Sequence, residues 1–121
     1  MRLLLVDDEQ SLLQLLGQRL VRLGHVVALA ANVAQAQAVL AGPYDAAIID
    51  WTLPDGSGLD IGRALLENDN QVVVIFTSGY PLDAEVVRKD LRGRVRILQK
   101  PFLPRALSEI LSTLAAAPQH L

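Results

Sequence analysis

Four stretches of this 121-residue chain set chemically capable side chains directly behind apolar runs. Leu3-Leu4-Leu5-Val6 runs without a spacer into Asp7, Asp8 and Glu9, and Ala46-Ala47-Ile48-Ile49 runs into Asp50. The run 72–76 ends in Thr77-Ser78-Gly79-Tyr80, and the run 95–98 ends in Gln99-Lys100-Pro101. Carboxylates can hold a hard cation, move a proton or attack an electrophile. A hydroxyl followed by glycine leaves room for an incoming group, and a lysine ammonium is a compact cation for anionic oxygens.

These groups can cooperate only if the chain brings the ends of the four runs together. Apolar runs of strand length recur at 3–6, 26–30, 46–49, 72–76 and 95–98, with helical periodicity between them. That alternation predicts β-α-β units and a parallel sheet. The first helix is expected from about Glu9 to Leu23, with Leu12, Leu13, Leu16, Leu20 and Leu23 on one face and Gly24 closing it. Asn32 can cap the second helix, whose Ala-rich run ends near Gly42-Pro43. A third is expected to start near Ser57 and a fourth near Pro81 or Leu82. A fifth spans about 103–116, with Leu107, Ile110, Leu111 and Leu114 inward.

The first, third and fourth runs are apolar at every position, as in strands buried on both faces, whereas Arg94 and Arg96 alternate with Val95 and Ile97 as at an edge. The expectation is an α/β fold: a doubly wound, five-stranded parallel sheet of order 2-1-3-4-5, (βα)5, in one domain. Its ligand crevice would lie at the carboxyl ends of strands 1 and 3, where the winding reverses.

Asp7, Asp8 and Asp50 then meet at that crevice. Two like charges about 4 Å apart repel by about 4 kcal/mol at an effective dielectric near 20, so an unmatched cluster would be strained or partly protonated. A divalent cation relieves the repulsion, and a few carboxylates with a carbonyl and waters suit Mg2+. Such an ion would attract a phosphoryl group. Glu9 is read instead as the start of the first helix, where a carboxylate interacts well with the dipole. Lys100 would project toward the acidic corner.

Composition narrows the remaining classes. The chain is 51% hydrophobic with a net charge of −2 and dispersed charges, which marks out neither a nucleic-acid surface nor a membrane surface. It has no cysteine, hence no disulfide and no thiolate metal site. No run approaches a membrane span and the first residues lack signal-peptide features, so a cytoplasmic location is expected. His25 and His120 are isolated and read as structural. Residues 1–116 form the expected domain, with 117–121 a frayed tail.

With these residues in hand, the chain resembles the response-regulator receiver domains of two-component signalling. The likeness runs from "LLLVDDE" through "DAAIIDWTLPDGSGLD" and "VVVIFTSGY" to "LQKPF". It implies a flavodoxin-like fold and transfer of a phosphoryl group from a sensor histidine kinase or histidine phosphotransfer protein onto Asp50, with Mg2+. Asp7, Asp8, Asp50 and the backbone carbonyl of Thr52 would hold the ion, Asp8 more directly than Asp7, and Lys100 would pair with the phosphoryl oxygens. Of Thr77 and Ser78, the resemblance selects Ser78 as the hydroxyl residue, because Gly79 supplies the small residue that follows it in the family. Pro54 and Gly58 match the family's Pro-x-x-x-Gly stretch, with Gly58 taken to serve backbone freedom. The resemblance also implies a cis peptide between Lys100 and Pro101, and it makes Thr52 and Tyr80 candidates for controlling water access.

Receivers commonly carry a switching aromatic three positions before the lysine, where this chain has Ile97. Output is therefore expected through the fourth helix and its loop instead, or to be weak; Ser78, drawing its loop toward the phosphoryl group, would switch the surface around the fourth and fifth strands and the fourth helix for a downstream protein partner of unknown identity. Either a stand-alone, single-domain receiver or one of the hybrid-kinase type, excised from a longer protein, is expected, with self-phosphotransfer and autodephosphorylation but no enzymatic turnover. Three other classes fit less well. A flavodoxin-type cofactor site needs a phosphate-cradling loop where "DDEQS" would repel phosphate. A haloacid-dehalogenase-like phosphatase needs a second aspartate where Thr52 stands. A phosphorylation-independent pseudo-receiver would be expected to lack the acidic pair or the lysine.

Overall fold

The structure, a computed structural model, describes residues 1–69, 71–91 and 94–116, with residues 115 and 116 described by backbone alone. The expected tail at 117–121 and His120 lie outside the described residues. Elements follow in the order β1 (Arg2–Val6), α1 (Gln10–Arg22), β2 (Val26–Ala30), α2 (Val33–Ala38), β3 (Ala46–Asp50), β4 (Thr52–Leu53), β5 (Gly56–Ser57), α3 (Gly58–Asn68), β6 (Val73–Ser78), α4 (Ala84–Leu91), β7 (Arg94–Gln99) and α5 (Pro104–Ala116). The main sheet has the order β2-β1-β3-β6-β7 and every pairing in it is parallel. Counting only its five strands, that is the expected 2-1-3-4-5.

Strand burial follows residue type. In β1, β3 and β6, Leu3 to Val6, Ala46 to Asp50 and Val73 to Ser78 are all buried, while the edge strand β7 alternates exposed Arg94 with buried Val95. Successive residues face opposite sides, so the strands feed two apolar layers. Leu4, Val6, Ala47, Ile49, Val74 and Phe76 pack toward α2, α3 and α4. Leu3, Leu5, Ile48, Val73 and Ile75 pack against Leu13, Leu16 and Leu20 of α1 and Leu107, Leu111 and Leu114 of α5. Helices thus cover both faces, which is what buries a parallel sheet.

Helix ends explain most departures from expectation. Gly24, at φ +96°, closes the turn after α1, but Leu23 is already the capping residue and is 55% exposed rather than on the inward face. The Asn32 side chain accepts from Gln35 N–H, as a capping residue should, yet α2 stops at Ala38. Residues 39–42 continue only as tight turns, and the Tyr44 hydroxyl takes the Val39 carbonyl. α4 begins at Ala84, not at Pro81 or Leu82, because Asp83 Oδ1 accepts from the N–H groups of Glu85 and Val86. The pairing of Thr52 with Ser57 and Leu53 with Gly56 makes a small antiparallel hairpin that the periodicity did not indicate.

Candidate functional site

The register brings the run ends level. Val6 sits beside Ala30 and Ile49, and Asp50 sits beside Thr77, so the residue after β1 and the last of β3 meet at the carboxyl edge. There the carboxylates of Asp7, Asp8 and Asp50 each have an oxygen within 4.8 Å of the others. Asp7 and Asp50 are buried, at 3% and 7% exposure, and Asp8 is exposed. Asp7 is held twice more: its N–H donates to the Ala30 carbonyl at 3.1 Å, and its Oδ1 accepts from Glu9 N–H at 2.9 Å. Glu9 is the capping residue of α1, but its own side chain makes no capping bond. Asp7 therefore fixes the start of the helix.

Lys100 reaches the same point from the end of β7. Its Nζ lies 2.8 Å from Asp7 Oδ2 and 3.2 Å from Asp50 Oδ2, and its N–H donates to the Ser78 carbonyl at 2.7 Å. The contact with Asp7 is additional to the pairing expected from the sequence. The Lys100–Pro101 peptide is cis. Burial pushes the Asp50 carboxyl above its ordinary range, against the Lys100 hydrogen bond and charge, which pull it down. For Lys100, burial opposes the charge, but the bonds to Asp7 and then Asp50 outweigh it and its pKa lies above the ordinary value. Three carboxylates against one ammonium leave two excess negative charges, which matches a divalent cation better than no ion at all.

The segment after Asp50 is folded tightly onto it. Trp51 N–H donates to the Thr77 carbonyl at 2.8 Å, Gly58 N–H to the Trp51 carbonyl at 2.9 Å, and Thr52 N–H to Asp50 Oδ1 at 3.3 Å. Gly58 has no left-handed backbone; what requires glycine is proximity, since a Cβ there would lie 2.2 Å from the Asp50 carbonyl oxygen. The expectation of backbone freedom at Gly58 is corrected to close approach. Ser57 caps α3 by accepting from Leu59 N–H. Trp51 is half-buried, edge-on to Phe76 with ring centroids 5.1 Å apart.

Thr77 and Ser78 are both buried, and the Ser78 hydroxyl accepts from Tyr80 N–H at 3.2 Å. Around Gly79 there is open space, with nothing within 4 Å of where a Cβ would be. The Tyr80 hydroxyl lies 3.4 Å from Thr52 Oγ1, so these two residues meet across the mouth of the crevice. Ile97 is half-buried against the layer that contains Phe76 and Trp51. His25 sits at the other end of the sheet beside the Met1 amine.

One anchoring residue escaped the sequence reading. Asp55, at the tip of the hairpin, accepts from Val33 N–H at 2.8 Å and Ala34 N–H at 3.1 Å, in the first turn of α2. The Val33 bond foremost holds its carboxyl below the usual range. Its only local signal was Pro-Asp-Gly, which reads as turn material.

Known proteins agree with this arrangement. The family model of the response regulator receiver domain matches residues 3–112. Over 100 residues the chain is 34% identical to the photosynthetic apparatus regulatory protein RegA of Cereibacter sphaeroides, covering 82% of this chain and 54% of RegA. It is 30% identical over 116 residues to a CheY chemotaxis protein homolog of Campylobacter jejuni, covering 90% of this chain and 88% of that one. The fold superposes with a TM-score of 0.79 and 25% identity on the response regulator TrrA of Thermotoga maritima in complex with Mg2+ and BeF, covering 93% of this chain and 97% of TrrA. The chain thus spans about half of RegA and nearly all of the CheY homolog. Five parallel strands, an acidic cluster at their carboxyl edge and a matching profile over almost the whole length make this chain a member of the response-regulator receiver domains of two-component signalling.

Proposed function

We propose that Asp50 is the phosphoacceptor of this receiver. The carrying observation is the cluster itself: a buried carboxylate with a lysine ammonium 3.2 Å away and two further carboxylates within 4.8 Å, one of them also paired with that ammonium. Asp7, Asp8, Asp50 and the Thr52 carbonyl would hold Mg2+, which when bound neutralises charge on the transferring group. The Asp50 carboxylate attacks the phosphorus of a phosphohistidine, one P–O bond forms as the P–N bond breaks, and the imidazole leaves. Lys100, shared between Asp7 and Asp50, is positioned to turn to the phosphoryl oxygens. Ser78 would donate its hydroxyl to the same group and draw the segment after β6 with it. That biases a surface around β6, β7 and α4 between two arrangements.

The donor reaches Asp50 from outside. A hollow of about 460 Å³ lined by Glu9, Leu12, Gly79, Lys100, Pro101 and Phe102 opens beside Lys100 and would receive part of the partner that presents the phosphohistidine. Thr52 and Tyr80 limit water access and so set the lifetime of the phosphoaspartate. The chemistry ends on the protein itself, with uptake by Asp50 and loss to water and no external substrate turned over.

Acetyl phosphate with Mg2+, read by intact mass, tests the assignment. The wild type gains one phosphate and Asp50→Ala gains none; equal gain in both removes Asp50 from the role. Trp51 adjoins Asp50, and its fluorescence is expected to change saturably on Mg2+ addition. A flat titration counts against the metal site.

A further inference from the structure

The acidic cluster comes from two separate parts of the chain: Asp7 and Asp8 follow β1, while Asp50 and Thr52 sit on β3 and the hairpin. A phosphorylation site of this kind works only if the two parts keep a fixed separation, because a metal shell tolerates little displacement of its donors. Part of that separation is set by the sheet, through the pairing of β1 with β3. Thr52, however, lies beyond the main sheet, exposed, on the two-residue strand β4 whose pairing is with Gly56 and Ser57 of the hairpin.

A second path joins the parts. The Asp55 carboxylate takes the N–H groups of Val33 and Ala34. Next to it, Gly56 lies so close to Val33 that a Cβ would be 3.2 Å from Val33 Cγ2. Three residues before Val33, the Ala30 carbonyl receives the Asp7 N–H. Hairpin, α2 start, β2 end and Asp7 therefore form one route between the two sets of donors, hydrogen-bonded at both ends and covalent from Val33 back to Ala30. The remaining early donors of α2 are met locally, Gln35 N–H by Asn32 and Ala36 N–H by the Asn32 carbonyl, so Asp55 serves a tie of long range and not simply the helix.

We infer that Asp55 is a positioning residue for phosphorylation, holding the hairpin so that the Thr52 carbonyl keeps its place in the metal shell. This rests on the reading of Thr52 as a metal donor given above. It touches neither the ion nor the phosphoryl group.

The test is a Mg2+ titration followed by Trp51 fluorescence, with thermal melts of the same samples, on wild type, Asp55→Ala, Asp55→Asn, Asn32→Ala and Asp8→Asn. Asp55→Ala is expected to weaken Mg2+ on the order of tenfold. Asp55→Asn keeps one acceptor oxygen and falls between it and wild type. Asn32→Ala removes the local cap of α2 without touching the hairpin, and should lower the melting temperature while leaving Mg2+ affinity near that of wild type. Wild-type affinity in Asp55→Ala, or the same loss in Asn32→Ala as in Asp55→Ala, overturns the inference while Asp8→Asn still binds poorly. If Asp8→Asn binds like wild type, or the wild type shows no saturable change, the metal reading itself fails and this inference falls with it.

Discussion

The two loops that flank the acidic cluster are built in opposite ways. The one after β3 is bound at nearly every step: Trp51 to Thr77, Thr52 to Asp50, Ser57 to Leu59, Gly58 to Trp51, and Asp55 across to α2. The one after β6 has the bond from Tyr80 N–H to Ser78, the 3.4 Å contact of the Tyr80 hydroxyl with Thr52, open space around Gly79, a half-exposed Tyr80 and, among the described residues, no further hydrogen bond until Asp83 caps α4. Few buried contacts and few hydrogen bonds mean a low free energy of local rearrangement. The difference assigns separate tasks. The first loop keeps reactants in place, and the second is free to follow the phosphoryl group and report it.

Glycine substitution should break this contrast most sharply. Gly58→Ala drives a methyl into the Asp50 carbonyl, and overpacking against backbone should destabilise by about 3 kcal/mol or more, with loss of phosphorylation by acetyl phosphate. A chemical denaturation midpoint close to wild type would show that the first loop yields easily and that the contrast is overstated. Asp50→Asn should act in the opposite direction, stabilising the fold by about 0.5–2 kcal/mol at neutral pH while abolishing phosphorylation. The sign follows from burial, which raises the Asp50 pKa in the folded state and penalises its charged form. Below the ordinary value of 3.8 both folded and unfolded carboxyls are protonated and the penalty is absent, so the advantage of the variant should grow as pH rises from that point through the raised folded value and then level off. Urea melts at stepped pH measure it, and an advantage that shrinks on raising pH would contradict the burial argument.

The looser loop should give kinetic rather than thermodynamic effects. Tyr80→Ala removes the hydroxyl that meets Thr52 and is expected to shorten the lifetime of the phosphorylated form, followed by loss of the phosphate mass after acetyl phosphate is removed. An unchanged lifetime would free the pair from any role in water access. The smallest effect is reserved for Gly79→Ala, expected within about 0.5 kcal/mol of wild type in stability. A large loss there would mean that the second loop is as constrained as the first.

How far the sequence could be read depended on the range of the interaction involved. Leu3 to Val6 and Val73 to Phe76 announce central strands because burial on both faces demands apolar side chains at every position, and Arg94 and Arg96 announce an edge for the converse reason. Asn32 was legible as a cap because its partner Gln35 is three residues away. Asp83 carried the same kind of local signal, yet the start of α4 was expected earlier, since Pro81 competes for the first helical position. The hairpin went unseen because two-residue strands are shorter than any hydrophobic period.

The residue types and their order therefore determined the doubly wound sheet, the crevice where its winding reverses, and the gathering of Asp7, Asp8, Asp50 and Lys100 there. Those follow from periodicity and from the direction of the strands, which are properties of short stretches. Only the tertiary structure decided that Lys100 is shared by Asp7 and Asp50, that Gly58 exists to let backbone approach backbone, and that Asp55 holds a helix 21 to 22 residues before it. Each of these is a contact between segments distant in the chain, fixed by angles and separations that no local pattern encodes.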